Sequence, residues 1–314
     1  MSVEQKGYVA LTDPDWYRYL AGRPQLDEVN FWQPHGGRAF RAIRSGDPFF
    51  FKLRAPHRAI AGFGFFERHE VLPAWLAWEL FGDKNGAVDF PGMIDRVERL
   101  RDEESPRTGA FDVGCIMITA PIFFPEDEWV RPPADWARTG IQQGKTYEMT
   151  HGEGARILRD CLERAGRSIH GWNVDRAAED EPRYGTPVNV RPRLGQGTFS
   201  LAVRDAYAGA CAVTGEHSVP ALEAAHITPY RDGGPHRIDN GLLLRSDVHR
   251  LFDRGYVTVT PDYTFHVGEQ LRAEFSNGRT YYPLDGSRIT LPRNTDWQPD
   301  RERLAWHNEH VFVG

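Results

Sequence analysis

The stretch LEAAHITPYRDGGPHRIDNGLLLRSDVHRLFD, residues 222–253, combines histidines, an asparagine and a glycine-rich loop. A neutral imidazole such as that of His226 can take a proton from water near neutral pH. A second histidine and a carboxylate, His249 and Asp253, can hold a divalent metal ion that polarises a phosphate and stabilises a departing oxygen. Together these groups are typical of a site that hydrolyses phosphodiesters.

A strand, a long loop, a second strand and a helix must position these groups. Alternating residue types predict a strand that ends near His226, and the Leu-Leu-Leu run after Asn240 predicts a second strand. A helix over residues 247–254 would place His249 and Asp253, four residues apart, on one face. The side-chain amide of Asn240 can bridge backbone groups of the loop and so fix the distance between base and metal.

This stretch resembles the HNH motif, which is also called ββα-metal. The first His, the central Asn and the last His of the motif correspond to His226, Asn240 and His249. The resemblance implies that His226 is the general base, that Asn240 holds the loop, and that His249 binds a divalent metal. Mg²⁺ and Mn²⁺ are expected, with Ni²⁺ and Co²⁺ as further candidates. CAVTG, LEAAHITPY and NGLLLRSDVHRLFDRG are similar to a branch found in modification-dependent restriction endonucleases, and the likeness spans residues 193–291.

Two positions depart from the HNH pattern. Many relatives place a metal ligand just before the base, where this chain has Ala225. Glu223 shares a face of the strand with that position and Asp253 lies on the helix, so either residue can complete the metal site with His249. Many relatives also carry two CxxC zinc pairs, whereas only Cys211 remains here, and the sequence therefore predicts no structural zinc.

Three arginines lie on or beside the predicted helix. Arginine suits phosphate binding because its guanidinium can donate two hydrogen bonds to one phosphate. The same residues can equally form a solvated helix face, so both interpretations stay open. The three are Arg245, Arg250 and Arg254.

Short aromatic strands alternate with helices up to about residue 172. FFFKLR, AIAGFGFF and GCIMITAPIFF predict strands, and EGARILRDCLERAG predicts a helix that ends at Gly166. NFWQP, SGDPFFFKL and IAGFGFF are similar to the PUA-like superfamily, especially its EVE and YTH branches, over residues 8–148. The resemblance implies a small β-barrel with flanking helices, and an aromatic pocket that accepts a modified base flipped out of a nucleic-acid strand.

A flipped base needs flat apolar walls and a few hydrogen-bonding groups at its edge. Asn30 is the candidate for reading the edge, and Trp32 is the strongest candidate for a wall. The alternative is that most of these aromatic side chains belong to the core, because large aromatic residues dominate protein cores. The full set of pocket candidates is Trp32, Asn30, Phe63, Phe65, Trp75, Trp129 and Trp136.

The chain is predicted to be α+β, with a modified-base-sensing domain over 1–174, a linker over 175–197 and an HNH domain over 198–314. Its 314 residues carry a formal net charge of −6, so DNA binding depends on where the cations lie rather than on their total. Three widely spaced cysteines, with no long apolar run and no signal-peptide pattern, predict a cytoplasmic protein with reduced thiols and no membrane partner.

These features predict a modification-dependent, type IV-like restriction endonuclease that defends against phage. Its partner would be double-stranded DNA carrying a modified, flipped cytosine such as 5-methylcytosine or 5-hydroxymethylcytosine. Cutting both strands needs two HNH sites, so a homodimer or a transient dimer is expected. Two alternatives stay open: a reader of modified DNA whose HNH domain has lost catalysis, or a non-selective nuclease whose N-terminal domain binds RNA or acts as a scaffold.

Overall fold

The computed structural model describes residues 5–23, 26–37, 39–101, 104–137, 143–170 and 195–314. The chain divides into two units, Met1–Pro192 and Arg193–Gly314. The predicted boundary at residue 174 and most of the predicted linker lie outside the described residues. A helix already begins at Gln196, two residues before the predicted start of the second domain. None of the described helices is both long and apolar enough to span a bilayer.

The described residues of the N-terminal unit form one mixed sheet flanked by α-helices. The strands are β1 (Lys6–Thr12), β2 (Glu28–Gln33), β3 (Pro48–Leu53), β4 (Ile60–Pro73), β5 (Asp112–Phe123) and β6 (Gly144–Glu148). The helices are α1 (Pro14–Ala21), α2 (Ala74–Phe81), α3 (Phe90–Arg101) and α4 (Gly152–His170). Helix α4 continues past Gly166, its predicted end, because a glycine inside a helix costs only about 1 kcal/mol.

The sheet has the strand order β2-β5-β4-β3-β1-β6. Strands β1 and β3 run parallel, whereas the other neighbouring pairs are antiparallel. Two register shifts interrupt the long β4–β5 ladder, and irregularities of this kind bend a sheet. The mixed α+β class is confirmed, but the predicted small barrel is not: within the described ranges, no ladder joins the edge strands β2 and β6.

The phenylalanine run of β3 shows how this sheet is buried on both sides. Successive residues of a strand point to opposite faces. Phe49 and Phe51 therefore join one core cluster, which includes residues of α1, while Phe50 joins a second cluster with residues of α4. A strand covered on both faces reads as a continuous apolar run, which is the pattern from which β3 was predicted.

The C-terminal unit is a second, separate α+β arrangement. Its strands are β7 (Leu222–His226), β8 (Gly241–Arg245), β9 (Val257–Val259) and β10 (Phe265–Val267). Its helices are α5 (Gln196–Ala206), α6 (Ser246–Asp253), α7 (Gln270–Phe275) and α8 (Arg301–His310). Two antiparallel pairs form, β7 with β8 and β9 with β10, and a single buried cluster holds the unit together.

The residues that follow helix α6 pack against the segment around Val311. Gly255 follows the helix with φ +77°, a left-handed conformation that glycine adopts without strain. A Cβ at this position would lie 2.0 Å from the carbonyl oxygen of Val311, so glycine is also required by packing. Beside it, the buried ring of His307 on α8 stacks on Phe252 of α6 with ring centroids 3.7 Å apart. These contacts fix the helix that carries His249.

Candidate active site

Strands β7 and β8 bring the predicted residues together through their register. His226 lies opposite Gly241, and Glu223 lies opposite Leu244. Leu242, Leu243 and Leu244 are essentially inaccessible to solvent, since α5 and α6 both pack on the pair. At Gly241 a Cβ would approach a methyl of Val203 on α5 to 2.4 Å, so this glycine permits the close approach of that helix.

Asn240 closes the loop between the two strands. Its side chain is fully buried, and its Oδ1 accepts a hydrogen bond from the backbone N–H of Thr228 at 2.9 Å. Its Nδ2 donates to the carbonyl oxygens of Thr228 and Pro235, both at 3.0 Å. Gly234 contributes to the same closure, because a Cβ there would lie 1.8 Å from the Thr228 carbonyl oxygen. The loop therefore has one tightly bonded conformation at its base.

His226 ends β7 and is held by two rings. It stacks on Phe199 of α5 with ring centroids 4.0 Å apart. Its Nε2 lies 3.0 Å from Nδ1 of His236, a hydrogen-bonding distance. Burial lowers the pKa of His226 to about 4, and repulsion from His236 and His249 when those rings are protonated adds to the shift, although Asp253 opposes it. The imidazole is therefore neutral at physiological pH and able to accept a proton.

His249 on α6 lies between two carboxylates. Its Nδ1 is 2.7 Å from Oε2 of Glu223, and its Nε2 is 3.3 Å from Oδ2 of Asp253. Burial lowers the pKa of His249, but the hydrogen bonds and charges of Asp253 and Glu223 outweigh burial and raise it. Because a neutral imidazole carries one proton, only one of these two nitrogens can donate. The other nitrogen then faces a carboxylate oxygen with its lone pair, unless a proton or a cation lies between them.

The pair formed by His249 and Asp253 fits two ligands of one divalent ion. Metal–ligand bonds of about 2.1 Å place neighbouring ligands of an ion roughly 3.0–3.4 Å apart. The 3.3 Å between Nε2 and Oδ2 lies in this range. In the part of the chain that the structure describes, no group of three or more His, Cys or carboxylate side chains forms a complete site. Oxygens of water and substrate would have to fill the remaining positions.

The remaining residues around the motif have distinct surroundings. Ala225 is fully buried in the apolar core, and its methyl group offers no metal ligand at the position before His226. The Sγ of Cys211, also buried, accepts N–H bonds from Thr214 and Arg245 at 3.4 and 3.3 Å. The guanidinium of Arg245 is held by both carboxylate oxygens of Asp247, whereas Arg250 and Arg254 are exposed.

A cavity of about 240 Å³ opens in the N-terminal unit. It is smaller than the roughly 300–1,000 Å³ that drug-sized ligands occupy, which suits a single planar ring. Its lining combines aromatic walls with polar groups that can bond a ring edge. The walls include Tyr8, Trp16, Phe31 and Trp32, and the polar groups include Asp13, Gln33, Arg54 and Gln143.

The structure does not bring the seven predicted pocket residues together. Trp32 lines the cavity, whereas Asn30 is not among the lining residues. The Nδ2 of Asn30 donates to Oδ1 of Asn85 at 2.8 Å and to Sγ of Cys115 at 3.3 Å, and the residue is fully buried. Asn30 therefore stabilises the packing of β2 against the turn after α2.

The other aromatic candidates are distributed over the unit. Phe63 is buried in the second core cluster, and Phe65 packs against it. Trp129 donates a hydrogen bond through Nε1 to the hydroxyl of Tyr17 at 3.0 Å. The Nζ of Lys52 lies over the ring of Trp136, 4.7 Å from its centroid. Trp75 lies at the start of α2. These placements match the alternative that most of the aromatic residues serve packing.

Several site residues were not predicted from the sequence. His236 and Phe199 hold the ring of His226, and Tyr230 stacks on His236 with centroids 4.7 Å apart. The one sequence signal for His236 is that it is a histidine inside the same glycine-rich loop as the motif. Phe31 and Gln33 flank the predicted Trp32 on β2 and also line the cavity.

Strands β7 and β8 with helix α6 form a ββα arrangement, and sequence comparison identifies this segment. Residues 211–260 match the HNH_2 family of HNH endonucleases. The C-terminal unit thus carries an HNH endonuclease domain, which belongs to a class of metal-dependent nucleases.

Similar solved structures include the modification-dependent TagI restriction endonuclease. It is 14% identical, and the match covers 92% of this chain and 77% of that one with a TM-score of 0.31. Two mutant forms of ZmASCH from Zymomonas mobilis match at 9% and 10% identity. They cover 49% and 50% of this chain and 96% of theirs, with TM-scores of 0.31 and 0.30. No curated protein matches the chain in sequence.

Proposed function

We propose that this protein is a modification-dependent DNA endonuclease that takes part in defence against phage. The observation that carries the proposal is the convergence of His226, Asn240 and the His249–Asp253 pair within a segment that matches HNH endonucleases. The N-terminal unit would accept a modified cytosine and the C-terminal unit would cut the DNA. Two HNH sites are needed to cut both strands, so a homodimer or a transient dimer would act.

His226 would be the general base of the reaction. Its Nδ1 is the ring nitrogen that remains for the attacking water, since its Nε2 is bonded to His236. Asn240 would keep the base and helix α6 at a fixed separation, because its side chain bonds Thr228 near the start of the loop and Pro235 further along it. The exposed guanidinium groups of Arg250 and Arg254 would contact phosphates beside the cut. Arg245 is less suited to this contact, because Asp247 already holds it.

His249 and Asp253 would hold the divalent metal, Mg²⁺ or Mn²⁺. When bound, the ion supplies charge that stabilises the departing 3′ oxygen. Glu223 would act differently, because its oxygen is bonded to Nδ1 of His249. By accepting this N–H, Glu223 orients the ring and leaves the lone pair of Nε2 directed at the metal position. Such carboxylate–histidine pairs are the usual support of a metal-binding imidazole.

The two carboxylates are therefore expected to differ in their effect on metal affinity. Asp253→Asn removes a charged ligand and should weaken Mn²⁺ binding by more than 100-fold. Glu223→Gln keeps an oxygen that accepts the N–H of His249 Nδ1. It should weaken Mn²⁺ binding by roughly 10-fold, the low end of the 10–100-fold loss that follows when a group orienting a metal ligand is replaced. Calorimetric titration of each variant with Mn²⁺ in the absence of DNA measures both effects. A larger loss in Glu223→Gln than in Asp253→Asn would reverse the assignment.

The 240 Å³ cavity is the proposed site for the modified base. Phe31 and Trp32 from β2, with Tyr8 and Trp16, provide apolar walls for a flat ring. Gln33 and Gln143 lie at its edge, where Nε2 of Gln33 donates to Oε1 of Gln143 at 3.3 Å. This bond is exposed to solvent, so a base edge can replace it without leaving a buried group unpaired.

The proposal is tested by incubating the protein with matched unmodified, 5-methylcytosine and 5-hydroxymethylcytosine DNA in Mg²⁺ or Mn²⁺. Fragments are expected from a modified DNA and not from the unmodified one. Gln33→Ala should reduce this preference by about 10-fold, since one base-edge contact is worth roughly 1–3 kcal/mol. Gln270→Ala, an exposed glutamine on α7, is the matched control and should leave the preference unchanged.

Two results of the same experiment would overturn the proposal. Equal cutting of all three DNAs would show a non-selective nuclease, and would assign the N-terminal unit to RNA binding or to a scaffold role. Binding of modified DNA without any cutting, in either metal, would show a reader whose HNH domain is inactive.

A further inference from the structure

His236 lies in the loop between β7 and β8, outside the three motif positions that the HNH resemblance assigns. Its Nδ1 is 3.0 Å from Nε2 of His226, and its ring stacks on Tyr230 at an interplanar angle of 12°. Tyr230 is 60% exposed, so it shields one face of His236 from solvent without being buried itself. The two imidazoles lie with centroids 5.0 Å apart at an interplanar angle of 63°.

The contact between the two histidines decides where the proton of His226 resides. Two imidazole nitrogens at 3.0 Å share one hydrogen, so one ring donates and the other accepts. If Nε2 of His226 donates, its Nδ1 carries a free lone pair. If His236 donates instead, the neutral His226 ring must carry its proton on Nδ1, and that nitrogen cannot take a proton from water.

On the His226 side, no other described group competes for this hydrogen bond. Within residues 195–314, His236 is the only hydrogen-bond partner of the His226 ring, and the opposite contact, with Phe199, is a stack without a donor or acceptor. The stack fixes the plane of the ring but is insensitive to the position of the proton. The hydrogen bond to His236 therefore determines the tautomer, while Phe199 determines the orientation of the plane.

We infer that His236 is a positioning residue that accepts the Nε2–H of His226 and thereby leaves Nδ1 of His226 as the nitrogen that activates water. The inference rests on the proposed function of His226 as general base. His236 itself touches neither the water nor the phosphate in this role. Tyr230 fixes the plane of the His236 ring by stacking on it, as Phe199 does for His226.

Two substitutions at residue 236 separate positioning from packing. His236→Phe keeps an aromatic ring that can stack on Tyr230, but it has no acceptor for Nε2–H. His236→Asn loses the ring, but its Oδ1 can occupy the place of Nδ1 and accept the same hydrogen bond. The inference expects His236→Phe to lower kcat by roughly 10–100-fold with little change in KM. It expects His236→Asn to stay close to the parent protein.

A spectroscopic measurement keeps this test independent of cleavage. ¹⁵N chemical shifts of labelled histidines report which ring nitrogen of His226 is protonated. The parent protein and His236→Asn should show the Nε2–H form, and His236→Phe should show a mixture of tautomers. An Nδ1–H form in the parent protein, or full activity in His236→Phe with loss in His236→Asn, would overturn the inference. If the parent protein cuts no DNA, the proposed function fails, while the chemical shifts still decide the tautomer.

Discussion

Replacing His226 with alanine is expected to slow DNA cleavage by roughly 10²–10⁴-fold, the usual contribution of a positioned general base. The imidazole is neutral at pH 7 because burial and the neighbouring histidines lower its pKa to about 4. It can therefore accept the proton of water without first losing one. Single-turnover cleavage of a modified plasmid, at saturating protein and at pH 7–8, measures the loss directly.

His226→Phe gives the same test with less disturbance of packing. A phenylalanine ring can keep the stack on Phe199, so a loss of rate in both variants comes from the missing nitrogens. His310→Ala replaces an exposed histidine at the end of α8 and serves as the matched control. Both His226 variants should bind modified DNA as the parent does. Cleavage at the parental rate by either one would exclude His226 as the base.

The spacing of the motif residues was sufficient to predict the ββα unit. Two short strands and a helix are local elements, and a four-residue separation on a helix places His249 and Asp253 on one face. The alternation of a strand placed Glu223 on the same face as Ala225, and the structure shows that Glu223 contacts His249 on α6. The roles of these residues stay predictions. The proximity of His249 and Asp253 follows from helix periodicity, whereas that of Glu223 and His249 also depends on the packing of α6 on the strand pair.

Residues in loops and cavities could not be predicted in the same way. His236 lies in an irregular loop, where no period relates it to His226, and its position depends on the bonds of buried Asn240. In the N-terminal unit, aromatic residues that line the cavity and those that fill the core have the same sequence pattern. Phe31 lines the cavity and Phe63 fills the core. Which of the two places a phenylalanine takes depends on the strand order, and the strand order depends on long-range pairing such as the parallel β1–β3 contact.

Replacing Asn240 with alanine is expected to lower both stability and cleavage. The substitution leaves the N–H of Thr228 and the carbonyls of Thr228 and Pro235 without their side-chain partner. Each buried polar group left unsatisfied costs about 1–3 kcal/mol, so the free energy of unfolding should fall by about 3 kcal/mol or more. Urea denaturation of the parent and the variant, at matched pH, measures this difference.

Asn308→Ala separates a loss of stability from a loss of the site. Nδ2 of Asn308 donates to Thr258, Val259 and Leu304, so this asparagine has a bonding role of similar extent outside the loop between β7 and β8. Both variants should unfold more easily. At a temperature where both remain folded, however, only Asn240→Ala should cut DNA slowly, because only Asn240 fixes the loop that separates the base from helix α6. If the two variants lost cleavage equally, Asn240 would be a stabilising residue without a specific role in the site.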